Sequence, residues 1–124
     1  MTVSGPAYDP AYLRFIELFN AGRFEESHEE LIGAWRQDPR DDFYKGLIQL
    51  AGAFQHASGG NPFWARDLLA SSHNLLAKYA PVHRGLDVDD LCEKIRALHA
   101  VLEAQGGESA SLPELRLTVK ATSN

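Results

Sequence analysis

The chain has one cysteine, no long run of apolar residues, and fewer basic than acidic side chains. Each shortage excludes something. A single cysteine, Cys92, cannot form an intramolecular disulfide and is compatible with a reducing cytoplasm. It falls within an apolar helical stripe and reads as core. With 12 Lys and Arg against 17 Asp and Glu, the formal net charge is -5. The charge is spread over both halves, so the basic stripe of a nucleic-acid-binding protein is missing. A membrane helix needs roughly 20 consecutive apolar residues, and none is present. The opening MTVSGPAYDP also lacks the basic-then-apolar order of a leader. The expectation is a cytoplasmic protein with no nucleic-acid and no membrane partner.

Catalytic signatures are missing too. No HExxH occurs, since Ile32 stands four residues after His28. GxSxG, a phosphate-binding loop and a supported Cys-His pair are also absent. No catalytic residue is assigned and no cofactor is implied.

What remains is an ordinary globular composition, 44% hydrophobic and 23% charged over 124 residues. A chain of that length buries about two-thirds of its unfolded surface without a metal or disulfide staple. Asp9-Pro10 is a cap followed by proline at the first helical position, and Tyr12, Phe15, Ile16 and Phe19 follow at helical spacing. The first helix then stops before Gly22. Phe24, His28, Leu31 and Trp35 place a second helix on one face, ending near Gln37 because Asp38 precedes Pro39. Asp41 or Asp42 caps a third helix to about Ala57, apolar nearly all round in GLIQLAGAF. Asn61-Pro62 repeats the cap-and-proline start for a fourth helix that exits at Pro81. Asp87 with Asp90 resembles an acidic capping box opening a fifth helix to about Ala104.

QGGESAS reads as a flexible linker, and Leu115, Leu117 and Val119 alternate with polar residues at period two. Such a lone strand has no partner in the chain and is expected to lie in a groove or pair with a second subunit. The fold expected is all-α, a five-helix bundle of two stacked helical hairpins and a capping helix, with an extended C-terminal tail. Residues 1–9 form an N-terminal extension, 10–104 a single helical domain, and 105–124 a linker and tail. The repeated helix, glycine, helix, proline order has a tetratricopeptide-like flavour.

Polar residues inside this pattern mark the candidate site. His28 shares a face with Phe24, Leu31 and Trp35, while Gln49, Gly52 and His56 form a line along the third helix. Gly52 removes a side chain between two polar groups and permits close approach. Buried imidazole and amide groups left without partners cost about 1 to 3 kcal/mol each. Either they satisfy one another in a packed core or they line a small polar pocket with Glu29, Trp35 and Asn61. A metal site from His28, Glu29 and His56 is a further alternative, though zinc or iron needs three or four donors in defined geometry. Glu25, Glu26 and Glu30 read as a solvated face, Trp64 as core or edge packing with a ligand stacking surface as the alternative, and His73, His83 and His99 as exposed or peripheral.

SHEELIGAW, GLIQLAGAFQHASGGN, ARDLL and YAPVHRGLDV together resemble a bacterial family known as domain of unknown function 309. The resemblance covers about residues 10 to 104 and implies an all-helical fold with no established activity. The family pattern falls on His28, Glu29, Leu31, Trp35, Gly46, Leu47, Ile48, Gln49, His56, Asn61, Ala65 and Gly85. Two places depart from it: Ile32 stands where relatives commonly carry a second glutamate, and Trp64 where they carry glycine. Losing that glutamate weakens a carboxylate-rich metal site. The function expected is a small non-catalytic helical module that binds a protein segment or small ligand near a polar pocket between helices two and three. The alternative is a hydrolase-like metal enzyme on His28, Glu29 and His56, and a homodimer through the tail is a further expectation.

Overall fold

A computed structural model describes residues 8–105 and 112–120. The expected extension before Tyr8 and the glycine-containing linker lie outside the described residues. The five expected helices are present. Helix α1, Pro10–Asn20, starts where the Asp9 carboxylate accepts the Ala11 N–H at 2.9 Å, and it buries Tyr12, Phe15, Ile16 and Phe19. Gly22, at φ +79°, lets the chain reverse into α2, Phe24–Trp35. Helix α3, Asp42–Ser58, is capped by Asp41, whose side chain accepts from the Tyr44 N–H at 3.1 Å. Pro62 opens α4, Pro62–Leu76, without a side-chain cap from Asn61. A single 3-10 turn, Ala77–Tyr79, replaces the last turn expected of that helix.

Between α4 and α5 lies a small hairpin that the sequence reading left as a turn. Strands β1, Val82–His83, and β2, Leu86–Asp87, pair antiparallel, with Val82 opposite Asp87 and His83 opposite Leu86. The two residues between them, Arg84 and Gly85, have φ of 47° and 77°. Two positive φ values are what a tight hairpin turn matched to strand twist requires. Asp87 then accepts the Asp90 N–H at 2.9 Å and starts α5, Val88–Gln105.

Helix α1 packs on α2, α2 on α3, α3 on α4 and α4 on α5, so two hairpins stack and α5 closes the far side. The centre is α3, whose Leu47, Leu50, Ala51 and Ala53 are fully buried. Gly46 lets α4 close on it: a methyl group there would stand 2.7 Å from Cγ of Leu76. Beside it, the buried Ser72 hydroxyl donates to the Gly46 carbonyl at 2.8 Å. Cys92 is buried as expected, and burial pushes its thiol pKa up.

The tail needs a correction. Its strand was expected to find no partner within the chain, but Val119 pairs with Leu86 in an antiparallel bridge. The Lys120 N–H donates to the Gly85 carbonyl at 2.8 Å. Leu115 and Leu117 are 6% and 3% exposed, so the alternation that predicted a strand is satisfied by one buried face. The Asn20 carboxamide then holds Leu117 at both ends, donating to its carbonyl at 2.7 Å and accepting its N–H at 2.8 Å.

Candidate functional site

Three helices, α2, α3 and α4, meet on one face, and the residues singled out from the sequence lie there. Their depth differs from the expectation. In α2 the fully buried residues are Ser27 and Leu31, while His28 is half-buried, with 27% of its side chain exposed. One residue along a helix turns the side chain by about 100°, enough to exchange floor for rim. Serine at the floor is tolerated because its hydroxyl donates to the Phe24 carbonyl at 2.8 Å within its own helix. That i to i−3 bond satisfies the one polar group and leaves the rest of the side chain small enough to pack.

On α3 the glycine expected to permit close approach does so. Cδ2 of His28 and Cδ1 of Leu68 lie 3.9 and 3.4 Å from where a Gly52 Cβ would stand. The ring of His56, one turn further along α3, faces α4 and lies 6.3 Å from the Trp64 ring, the two planes tilted by 31°. The two histidines therefore face different neighbours. Glu29 is 72% exposed and its carboxylate stands 3.8 Å from Nδ1 of His28, a loose surface pair. The metal triad of His28, Glu29 and His56 is not assembled. Among the described residues no three His, Cys, Asp or Glu side chains come together in a way that could hold a metal ion.

Gln49 and Trp35 border the same face. Oε1 of Gln49 and Nε1 of Trp35 are both buried and have no hydrogen-bond partner. A buried acceptor and a buried donor left unmatched are a cost that a packed core normally avoids. Asn61 takes part through its main chain alone, its N–H donating to the His56 carbonyl at 2.8 Å to end α3. Trp64 was expected to pack, yet 59% of it is exposed. Position 64 is the third residue of α4, and the neighbouring ring is that of His56 near the end of α3. The five most prominent cavities among the described residues are not lined by His28, Gln49 or His56. The face is open at Trp64 and Glu29.

A second polar cluster, unforeseen in the sequence, sits under the hairpin. The Arg84 guanidinium lies 4.6 Å from the Tyr44 ring centre and 5.4 Å from that of Phe43, and its Nη2 donates to Asp41 at 3.0 Å. The Tyr12 hydroxyl donates to the Arg84 carbonyl at 2.9 Å. Burial raises the pKa of Tyr12 and, with Asp9 nearby, pushes that of Tyr44 up to about 12. His83, expected to be peripheral, is wedged between Phe43 and Tyr79, with ring centres 4.6 and 4.7 Å away. Burial, reinforced by the Arg84 charge, lowers its pKa. The signal that could have found this cluster is the Arg84-Gly85 pair, a turn dipeptide that carries one long cationic side chain back across the tyrosines of α1 and α3.

With this geometry in place, the family comparison falls on the part of the chain that holds this face. The family model described as "Domain of unknown function (DUF309)" matches residues 12–68. The chain carries this domain. The matched span takes in α1, α2, α3 and the start of α4, so His28, Gln49, Gly52, His56 and Trp64 all lie inside DUF309, whereas Arg84 lies beyond it. A relative described as uncharacterized protein YpuF, from Bacillus subtilis (strain 168), is 34% identical over 102 residues. The match covers 77% of this chain and 59% of YpuF, so the chain spans about three-fifths of that relative's length. No solved structure matches the chain. Among the described residues no helix is long and apolar enough to cross a membrane.

Proposed function

We propose that the chain is a non-catalytic helical module whose α2–α3–α4 face receives a segment of a partner protein. The exposed Trp64 ring beside His56 supports this reading most directly. A large aromatic surface held in the open by the start of a helix is a common anchor at protein interfaces, where tryptophan dominates binding energy. Gln49 and Trp35 contribute an acceptor and a donor without internal partners, which a docked segment satisfies after small side-chain rotations. Openness argues for a protein segment over a small molecule, because small ligands are held in enclosed clefts that bury most of their surface.

The test compares four tagged forms of the full chain as bait in extracts of the native host. The wild type and Leu13→Glu, altered at an exposed leucine of α1, retain a common partner, while Trp64→Glu and Gln49→Leu lose it. Equal capture by all forms refutes the reading. So does a partner lost with Leu13→Glu and kept with Trp64→Glu.

A further inference from the structure

At the start of α2 lies a cavity of about 430 Å³, between the α1–α2 turn, the end of α3 and the docked tail. Phe19, Phe24 and Phe54 form its apolar side, with ring centres 5.0 to 5.3 Å apart in tilted and edge-on arrangements. Two other features are electrostatic. Glu114, on the tail, is the one ionisable residue among the described residues that lines the cavity. Helices α1 and α3 both end at its wall, at Asn20 and Ser58, and a helix end of this polarity carries partial negative charge.

The start of α2 at Phe24 adds the opposite polarity, and Glu25 and Glu26 in its first turn counter it. Arg23, which lines the adjoining cleft, is held by Glu26 through two bonds of 2.5 and 2.6 Å. The adjoining cleft, which shares Gly22, Phe24 and Ser58 with the cavity, is lined by Glu25 as well. Aromatic faces, a carboxylate and negative helix ends are jointly matched by an apolar body that carries a positive charge.

We infer that this cavity is a binding site for a small aryl- or alkylammonium ligand, closed on one side by the chain's own tail. The site is separate from the α2–α3–α4 face and does not depend on it. Leu112 and Leu115 of the tail form part of the wall, and two residues further on Leu117 is clamped by Asn20, which also lines the cavity. A ligand that touches both walls therefore stabilises the docked tail over the free one by mass action.

The test uses the full chain with phenethylammonium and phenylacetate as probes, followed by NMR and amide hydrogen exchange. Phenethylammonium shifts the resonances of Phe24 and Phe54 saturably, phenylacetate binds at least about fivefold more weakly, and the Leu117 and Lys120 amides exchange more slowly when the amine is bound. Glu114→Gln, an exposed change, weakens the amine about fivefold and leaves phenylacetate unaltered. Ser58→Trp, at another exposed position, plugs the mouth and removes both. No saturable shift at millimolar amine, or equal binding of amine and acid, overturns the inference. Binding that leaves tail exchange unchanged overturns the coupling.

Discussion

Two regions of this molecule hold comparable sets of polar and aromatic residues and join them to different extents, although each leaves two buried polar atoms without a partner: Nη1 of Arg84 and Nε2 of His83 under the hairpin, Nε1 of Trp35 and Oε1 of Gln49 on the α2–α3–α4 face. Under the hairpin, Tyr12, Asp41, Tyr44 and Arg84 are joined to one another across α1, α3 and the turn, and burial raises the pKa of both tyrosines. On the α2–α3–α4 face, Trp35, Gln49 and Trp64 are left unmatched or exposed by their own chain. The first set fixes where the hairpin and the tail sit. The second is the set that the proposed docking would use, although Trp35 also packs against the core. A histidine beside an aromatic ring is therefore not informative by its composition: His83 and His56 share that description and differ in what surrounds them.

Substitutions separate the two regions by size of effect. Gly85→Ala has the largest, because an added Cβ would stand 2.5 Å from both the Lys120 carbonyl oxygen and the Tyr8 hydroxyl, at a φ of +77°. The backbone strain alone costs about 1 to 3 kcal/mol, and the tail must also be displaced. Urea unfolding should lose about 3 kcal/mol or more, with faster exchange at Lys120. A loss under about 0.5 kcal/mol would mean that the latch is slack.

Arg84→Leu comes next. Removing one partner of a fully enclosed ion pair costs about 3 to 5 kcal/mol, but Arg84 keeps 34% of its side chain exposed, so about 2 kcal/mol is expected. A double-mutant cycle with Asp41→Asn checks that the loss is shared by the pair.

Acid produces a smaller effect of defined sign. His83 has a folded pKa below its ordinary 6.5, so folding favours the neutral ring. Its contribution is fully present above about pH 6.5 and is lost as pH falls from there through the lowered folded value. The stability difference between wild type and His83→Gln should therefore shrink between pH 7.5 and 5. A constant difference would break the assignment.

On the open face, Trp64→Ala and His28→Ala should each change stability by less than about 0.5 kcal/mol. A change as large as that of Arg84→Leu would erase the distinction between the two regions.

Much of the fold was legible in the sequence because its boundaries are written in local chemistry. Asp9-Pro10, Gly22, Asp41, Asn61-Pro62 and Asp87 are punctuation that acts within four residues, and each falls where a helix starts or stops. The hairpin was not legible, since strands two residues long carry no alternation to read. Nor was the tail's berth: the Asn20 and Leu117 bonds join residues 97 apart, and either residue alone reads as an ordinary helix end or strand position. At the candidate site the line along α3 was legible because Gly52 and His56 lie in a long uninterrupted helix. The depth of α2 was not. His28 was read as facing inward with Phe24, Leu31 and Trp35, while Ser27, to which the sequence reading assigned nothing, takes the floor because its hydroxyl is bonded within the helix. Trp64 was misplaced for a related reason, since a large apolar residue reads as core wherever it stands. Arg84 was passed over because its partners are brought in by three separate segments.

The clamp that Asn20 places on Leu117 also sets how the C-terminal part of the chain can change length. One carboxamide grips both main-chain groups of one residue, so the segment downstream is aligned from that point rather than from the end of α5. Residues added before Leu112 only lengthen the path to the clamp, and such lengthening is mild because closure entropy grows with the logarithm of loop size. A single residue added or removed between Leu117 and Val119 turns the remaining side chains to the opposite side and breaks the pairing with Leu86. Insertions and deletions should therefore accumulate upstream of the clamp, while the three residues after it keep their spacing.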